Sequence, residues 1–345
     1  LSEQPRLTRR PVENHPDLAA DFVAMMDRWH SLPEVYDDEL DAQIHEQYVA
    51  VLRRKFRFPR QPYFTPSSID MCPRANYLRL TGATRDKSGQ PPHQGRWTRM
   101  GTAFGDVMQR DLLFIEKHWP RIFGESAPFT VERNEHGEPM WEQFARAVMP
   151  ITHGDHTFSL FALPDGVLRH TATGKRVLVE FKSKQTTSSR TSEYSMKGAE
   201  DKHADQTVSY SIAYNVDDRI IVYGNLSKKA WFMTEEEYAK SPDLRAFHEE
   251  INNVARWEIL DRCANILDAV AAKTPPPLDL DKWTFNGYKT ACALSLTGDE
   301  LNHIRSKVAQ VQTSGLKPKV KEDYAKALAD IESIRAEHSE MGAVA

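Results

Sequence analysis

Two carboxylates and a lysine are spaced in this sequence as a β-ribbon would need to bring them together. Asp165 follows Pro164, and after fourteen intervening residues come Glu180, Phe181 and Lys182. In the run KRVLVEFK, 175–182, a strand would alternate its side chains between two faces. Val177, Val179 and Phe181 then enter a core, while Leu178, Glu180 and Lys182 share the other face. Glu180 and Lys182 are neighbours there, roughly 7 Å apart. A turn at TATG, 171–174, lets His170 pair with Lys175. Counting back from that pair sets Asp165 opposite Glu180, with Cβ atoms about 4.5–5.5 Å apart. Carboxylates that close repel each other, and a hard cation between them removes the repulsion. Mg2+ or Mn2+ takes oxygen ligands, commonly one or two carboxylates with waters and a substrate phosphate. The backbone carbonyl of Phe181 is a further candidate ligand. Lys182 beside the ion can hold an attacking water and favour negative charge developing at phosphorus. Taken alone, so short a pattern is more often an ordinary surface hairpin with a Glu/Lys pair, so it needs company.

Two further features supply it. Gln206 and Tyr210 stand i, i+4 in the helical run DKHADQTVSYSIAYN and share one helix face. A Gln amide and a Tyr hydroxyl can donate to phosphate or to ordered water. His203 lies one turn earlier on the same side. The second feature is the helix start GTAFGDVMQ, Gly101 to Gln109, whose small residues permit close approach to a sheet. Tight packing alone explains it as well.

The elements that must position these residues can be read from the rest of the chain. Its 345 residues suffice for one large domain or two modest ones, and 40% hydrophobic content with seven tryptophans supplies a core. Residues 1–16 read as a loose arm. Helical spacing runs over 16–55, with Leu18, Phe22, Met25, Met26 and Trp29 on one side. A second helix is expected over 67–82. A long one follows over 96–119, with an apolar stripe of Met100, Phe104, Val107, Met108 and Leu112. Strands are expected at 128–133, 157–170 and 175–184, then a mobile polar loop to 202, then the helix of Gln206. Strands at 218–225 and 228–234 come next, with helix from 234 to 272 and a charged helix over 319–340 packing along one side. This order gives an α/β core with helical additions at both ends. The division is an arm and helical region over 1–66, a core over 67–235 and a helical region over 236–345.

Net charge is −4, so any nucleic-acid contact must use a local basic patch. Arg169, Lys175, Arg176, Lys182, Lys184, Arg190, Lys197 and Lys202 gather around the candidate site, with Arg74 ahead of the long helix and Arg96 and Arg99 at its start. That placement suits phosphate contacts. Cys72, Cys263 and Cys292 are too few and scattered for a disulfide framework, which points to a reducing, cytoplasmic setting. No apolar leader and no run of about 18 apolar residues is present, so neither a signal peptide nor a membrane span is expected. No Walker-type loop is present, so unwinding would have to come from a partner.

Ser68, Cys72-Pro73-Arg74, the Gly101 helix, Asp165, Glu180-Phe181-Lys182 and Gln206-x-x-x-Tyr210 occur in one order across residues 67–235. Together they resemble the RecB-like branch of the PD-(D/E)XK nuclease superfamily, which includes CRISPR-associated and phage recombination exonucleases. The resemblance implies a restriction-endonuclease-like core, a mixed central sheet flanked by helices. It implies that Asp165 and Glu180 ligate Mg2+ or Mn2+ and that Lys182 is the catalytic lysine. Gln206 and Tyr210 would position DNA, with His203, Lys184 and Arg74 as further substrate contacts. The implied activity is a metal-dependent DNA nuclease, an exonuclease in recombination, repair or phage DNA metabolism, with a recombination or replication protein as a candidate partner. The alternatives are a structure-specific or restriction-type endonuclease, and a degenerate DNA-binding or assembly subunit. Oligomeric state is not legible.

Two departures from the family pattern matter. The family's first helix carries Gly-x-x-x-His or Gly-x-x-x-Glu, whereas Gly105 occupies the last position here. Asp106 or Gln109 is the candidate replacement ligand. Some relatives also hold an iron–sulfur cluster with four cysteines. Cys72 and Cys292 are retained, but Trp283 and Asn286 stand in two cysteine positions. No cluster is therefore expected, and packing at Trp283 would replace the clamp it provides.

Overall fold

The computed structural model describes residues 17–344 apart from 88 and 90, so the arm expected over 1–16 lies outside the described residues. In chain order the elements begin with α1 (Leu18–His30), α2 (Asp38–Arg53), β1 (Tyr63–Phe64), α3 (Pro66–Ile69), α4 (Pro73–Leu80) and α5 (Pro92–Phe123). Then come β2 (Phe129–Val131), β3 (Ala147–His153), β4 (His156–Ala162), β5 (Gly166–His170), β6 (Arg176–Lys184), α6 (Asp201–Tyr214) and β7 (Asp218–Asn225). The chain continues through α7 (Glu235–Lys240), β8 (Leu244–Glu250), α8 (Asn253–Ala272), α9 (Lys289–Leu294), α10 (Gly298–Thr313) and α11 (Pro318–Val344).

Local chemistry accounts for the helix starts. The Asp17 carboxylate accepts from the Ala19 and Ala20 N–H groups and opens α1, whose five apolar residues at helical spacing are all buried. Asp37 caps α2 in the same way, so the helical stretch expected over 16–55 is two helices. Pro73 splits the stretch over 67–82 into α3 and α4, since a proline is tolerated in a first turn and not within a helix. The long helix is present as α5. Its apolar stripe is narrower than expected: Met108 and Leu112 are buried, whereas Met100 and Val107 are exposed.

Five strands form the expected mixed central sheet, in the order β2-β5-β6-β7-β8. β6 runs antiparallel to β5 and parallel to β7. The β5–β6 ladder pairs Gly166 with Val179 through to Arg169 with Arg176, and the His170 N–H reaches the Lys175 carbonyl at 2.9 Å. This is the register counted from the TATG turn. Helices cover both faces. Val177, Val179 and Phe181 pack in one cluster with α1 and α5. Leu178 packs in another with Val208 of α6 and Ile259 of α8.

Several expectations need correction. The run 157–170 is two strands, β4 and β5, broken at Pro164-Asp165, and β4 belongs to a separate sheet of order β1-β4-β3. β3 went unseen because its Met149 and Pro150 are exposed and blur the alternation. Residues 228–234 form no strand. The last strand is instead β8, inside the stretch read as helix, where charged residues mask a short apolar alternation of period two. The polar segment after β6 is folded rather than loose. Asn225 Nδ2 donates to the carbonyls of Thr187 and Ser188 at 3.1 and 3.0 Å and to Thr191 Oγ1 at 3.0 Å, and Thr191 and Met196 are buried. The C-terminal helix packs through Tyr324, Ala327 and Ile331. Among the described residues no helix is long and apolar enough to cross a membrane.

Close approach of α5 to the sheet depends on a glycine that the sequence did not flag. The Phe104 ring lies on Gly224 of β7, where an added Cβ would sit 2.1 Å from Phe104 Cζ. Gly224→Ala is therefore expected to destabilise the protein by about 1–3 kcal/mol. Combining it with Phe104→Leu should recover part of that loss, as measured by denaturant unfolding.

Candidate active site

The antiparallel ladder ends at Gly166 and Val179, and β6 continues beyond it. The Phe181 N–H, left without a β5 partner, donates instead to Asp165 Oδ2 at 2.8 Å. That hydrogen bond turns the Asp165 side chain in beside Glu180. A Cβ on Gly166 would come within 2.6 Å of Val179 Cγ1, so the residue after Asp165 has little room for a side chain.

Glu180 is fully buried, and its Oε1 pairs with the Lys182 ammonium. Its Oε2 is buried with no hydrogen-bond partner among the described residues. Burial first, and then the Asp165 carboxylate, push the Glu180 carboxyl up to about 8. Burial also raises Asp165, against the opposing pull of Lys182 and the Phe181 N–H. Burial alone would lower Lys182, but Glu180 and Asp165 outweigh it and the net shift is upward. Both carboxyls thus resist ionisation while Lys182 is held as a cation.

α6 lies over this face. Gln206 Nε2 donates to the Tyr210 hydroxyl at 3.0 Å, which leaves the phenolic hydrogen free to donate. Burial and the Glu180 charge hold the Tyr210 phenol in its neutral form. His203 Nδ1 is 2.9 Å from the Tyr223 hydroxyl. Burial and the nearby Lys182 push His203 down to about 3, so it serves as a neutral partner and not as a cation for phosphate.

From the opposite side α5 brings Gln109. Its Nε2 donates to the Asp165 carbonyl at 2.8 Å, and its buried Oε1 has no partner among the described residues. Gln109 and Asp106 line a pocket of about 490 Å3 together with Glu142. Glu142 is the site residue that sequence reasoning missed. Its φ is +40°, and its N–H is tied to the Pro164 carbonyl at 2.7 Å. Burial, then Asp165 and Asp106, push its carboxyl up to about 7. No spacing announces it, since it sits in an irregular segment that only the fold carries back to Asp165. Gly105 adds no side chain, and nothing lies within 4 Å of where its Cβ would be.

Other expected contacts lie elsewhere. Arg74 is fully buried and cannot reach a substrate. Its guanidinium donates to the Pro276 carbonyl at 2.8 Å, to the Ser295 carbonyl and hydroxyl at 3.1 Å, and to Glu300. Lys184 is paired with Glu200, and its ammonium lies 5.0 Å from the Tyr223 ring centroid. Arg169 and Arg176 pair with Glu132, and Lys175 with Asp218, at the far end of the β5–β6 ladder. They contribute no basic patch at the site. Cys72, Cys292 and Trp283 share one apolar cluster, with Asn286 Nδ2 3.4 Å from Cys292 Sγ.

Among the described residues no three His, Cys, Asp or Glu side chains converge as a ready ligand set. The donor set still suits a hard cation. Two carboxylates face each other, Glu180 Oε2 is an oxygen the protein leaves unsatisfied, and such a cation fills its remaining positions with water or phosphate.

No protein-family model matches this chain, and no curated protein matches it. Among solved structures it is similar to the crystal structure of SSO0001, at 12% identity and a TM-score of 0.37, covering 75% of this chain and 96% of that one. It is similar to LHK-Exo in complex with dAMP, at 15% identity and a TM-score of 0.34, covering 62% and 89%. It is also similar to the alkaline exonuclease LHK-Exo from Laribacter hongkongensis, at 14% identity and a TM-score of 0.34, covering 62% and 90%. These likenesses are loose.

Two outcomes follow from this arrangement. Mn2+ at a hundredfold excess over its Kd should stabilise the protein by about 2.7 kcal/mol, and the Asp165→Asn variant should lose that gain in thermal melts. Arg74→Ala should cost about 3 kcal/mol, because it breaks a buried charged network. Its gain in stability from Mn2+, measured under conditions where it stays folded, should not change.

Proposed function

We propose that this chain is a divalent-metal-dependent DNA nuclease of the PD-(D/E)XK type, acting on linear DNA as an exonuclease. One observation carries the reading. Asp165 and Glu180 meet where the β5–β6 ladder ends, with one Glu180 oxygen buried and unsatisfied and the Lys182 ammonium beside it.

Asp165, Glu180 and the Phe181 carbonyl are the residues that would hold Mg2+ or Mn2+. When bound, the ion supplies Lewis-acid activation and neutralises charge at the phosphodiester. The remaining chemistry belongs to side chains. Lys182 is partly exposed, with 22% of its side chain accessible, so its ammonium can face a phosphate oxygen and the incoming water. Tyr210, oriented by Gln206, donates its hydroxyl hydrogen toward the substrate. Gln109 fixes the backbone at Asp165, which keeps the two carboxylates in register. The work would lie in recombination, repair or phage DNA metabolism, with a recombination or replication protein as partner.

The second reading is a catalytically silent DNA-binding subunit, and Gly105, which contributes no ligand, favours it. Digestion of end-labelled linear DNA and of covalently closed circular DNA with Mg2+ or Mn2+ separates the possibilities. Linear DNA should be degraded and closed circles spared. Cutting of the circles would make the protein an endonuclease. Glu180→Ala and Lys182→Ala should each lower the rate at least about a hundredfold. Full activity in both variants would remove the assignment.

A further inference from the structure

Beyond the reacting groups, segments near the C-terminal ends of β6 and β7 carry aromatic side chains that the described residues leave exposed, three of them almost wholly. Tyr194 is 91% exposed, Trp231 92%, Phe232 87% and Trp97 44%. Burying an aromatic side chain is strongly favourable, so a cluster left this open marks a contact surface more than a folding element.

Named contacts place the segments that carry these rings at one end of the sheet. Lys184 and Asn225 are register partners at the ends of β6 and β7. Gln185, the next residue, donates to the Trp97 carbonyl at 3.0 Å, and Gly101 of α5 packs against Ser183. Asn225 holds Thr187, Ser188 and Thr191, which anchors the segment that carries Tyr194. Trp231 lines a hollow of about 680 Å3 with Ser188 and Asn225. Glu180 lies four residues back along β6 from Lys184, roughly 13 Å.

Four cations neighbour these rings in the sequence. Arg96 and Arg99 flank Trp97 on α5, and Arg190 and Lys197 lie either side of Tyr194. All four are exposed, and none has a carboxylate partner among the described residues. Lys228 and Lys229, beside Trp231, are neutralised by Asp243 and Glu237. Rings alternating with unpaired cations fit a ligand with flat, exposed faces on an anionic backbone. In a duplex the base faces are stacked on each other, whereas in a single strand they can lie on aromatic side chains.

We infer that the edge formed by Trp97, Tyr194, Trp231 and Phe232, with Arg96, Arg99, Arg190 and Lys197, binds single-stranded DNA by base stacking and delivers it to the Glu180 site. This rests on the nuclease reading for its destination, but the binding itself can be measured apart from cleavage.

The test uses the full chain without divalent metal, with a fluorescein-labelled 20-mer of deoxythymidine and a blunt duplex of the same length as probes. The single strand should bind more tightly than the duplex. Trp97→Ala and Trp231→Ala should each weaken single-strand binding about 5- to 150-fold. Trp257→Ala, at another exposed tryptophan, should leave it unchanged. Melting curves of the variants confirm that each is folded. Quenching of tryptophan fluorescence by the bound strand, reduced in Trp231→Ala, reads stacking directly. Equal affinity of the parent for duplex and single strand, or unchanged binding in both edge variants, overturns the inference. If the parent binds the single strand in this way and cleaves nothing with metal present, the nuclease reading fails while the stacking edge stands.

Discussion

Glu180 is fully buried, faces Asp165, and has Lys182 as its ion-pair partner inside the protein. The penalty for removing each such ion from water is several kcal/mol, and a nearby like charge adds to it. A chain selected for stability alone would place an apolar residue there. The surrounding structure instead holds the repulsion in place. The Phe181 N–H fixes Asp165 from the strand edge, Gln109 fixes its backbone from α5, and the β5–β6 register leaves Glu180 no other direction to turn.

That arrangement constrains the helices on both faces. α5 must come close enough for Gln109 to touch the Asp165 carbonyl, and the small residues Gly101 and Gly224 allow it. α6 must cover Glu180 without neutralising it, which it does with the uncharged Gln206, Tyr210 and His203. Glu142 comes within electrostatic reach of Asp165 by accepting a backbone conformation that few non-glycine residues adopt. Strain of this sort persists where the surroundings over-determine it, as the Pro164 carbonyl does here.

The C-terminal region closes on the core by a different route. Arg74 sends its guanidinium into α9, α10 and the segment before them, while Cys72, Cys292 and Trp283 pack as an apolar cluster. Residue types that suggested substrate contact or cluster chemistry in the sequence thus serve as a clamp. Burial made the difference: an arginine with no water to solvate it has to spend its donors on the protein.

The sequence by itself determined what depends on local periodicity. The β5–β6 ribbon, the pairing of His170 with Lys175, and therefore the meeting of Asp165 with Glu180, follow from a side-chain repeat of two and a short turn. The faces of α1 and α6 follow from a repeat of 3.6. Tertiary structure alone decided everything that depends on contacts distant in sequence. It placed Glu142 beside Asp165, drew the polar segment after β6 onto Asn225, turned 244–250 into an edge strand and spent Arg169, Lys175 and Arg176 on acids far from the site. A single sequence records which residues are apolar or charged and how they are spaced. It does not record which distant partner will neutralise a charge, and that choice is made only when the layers close.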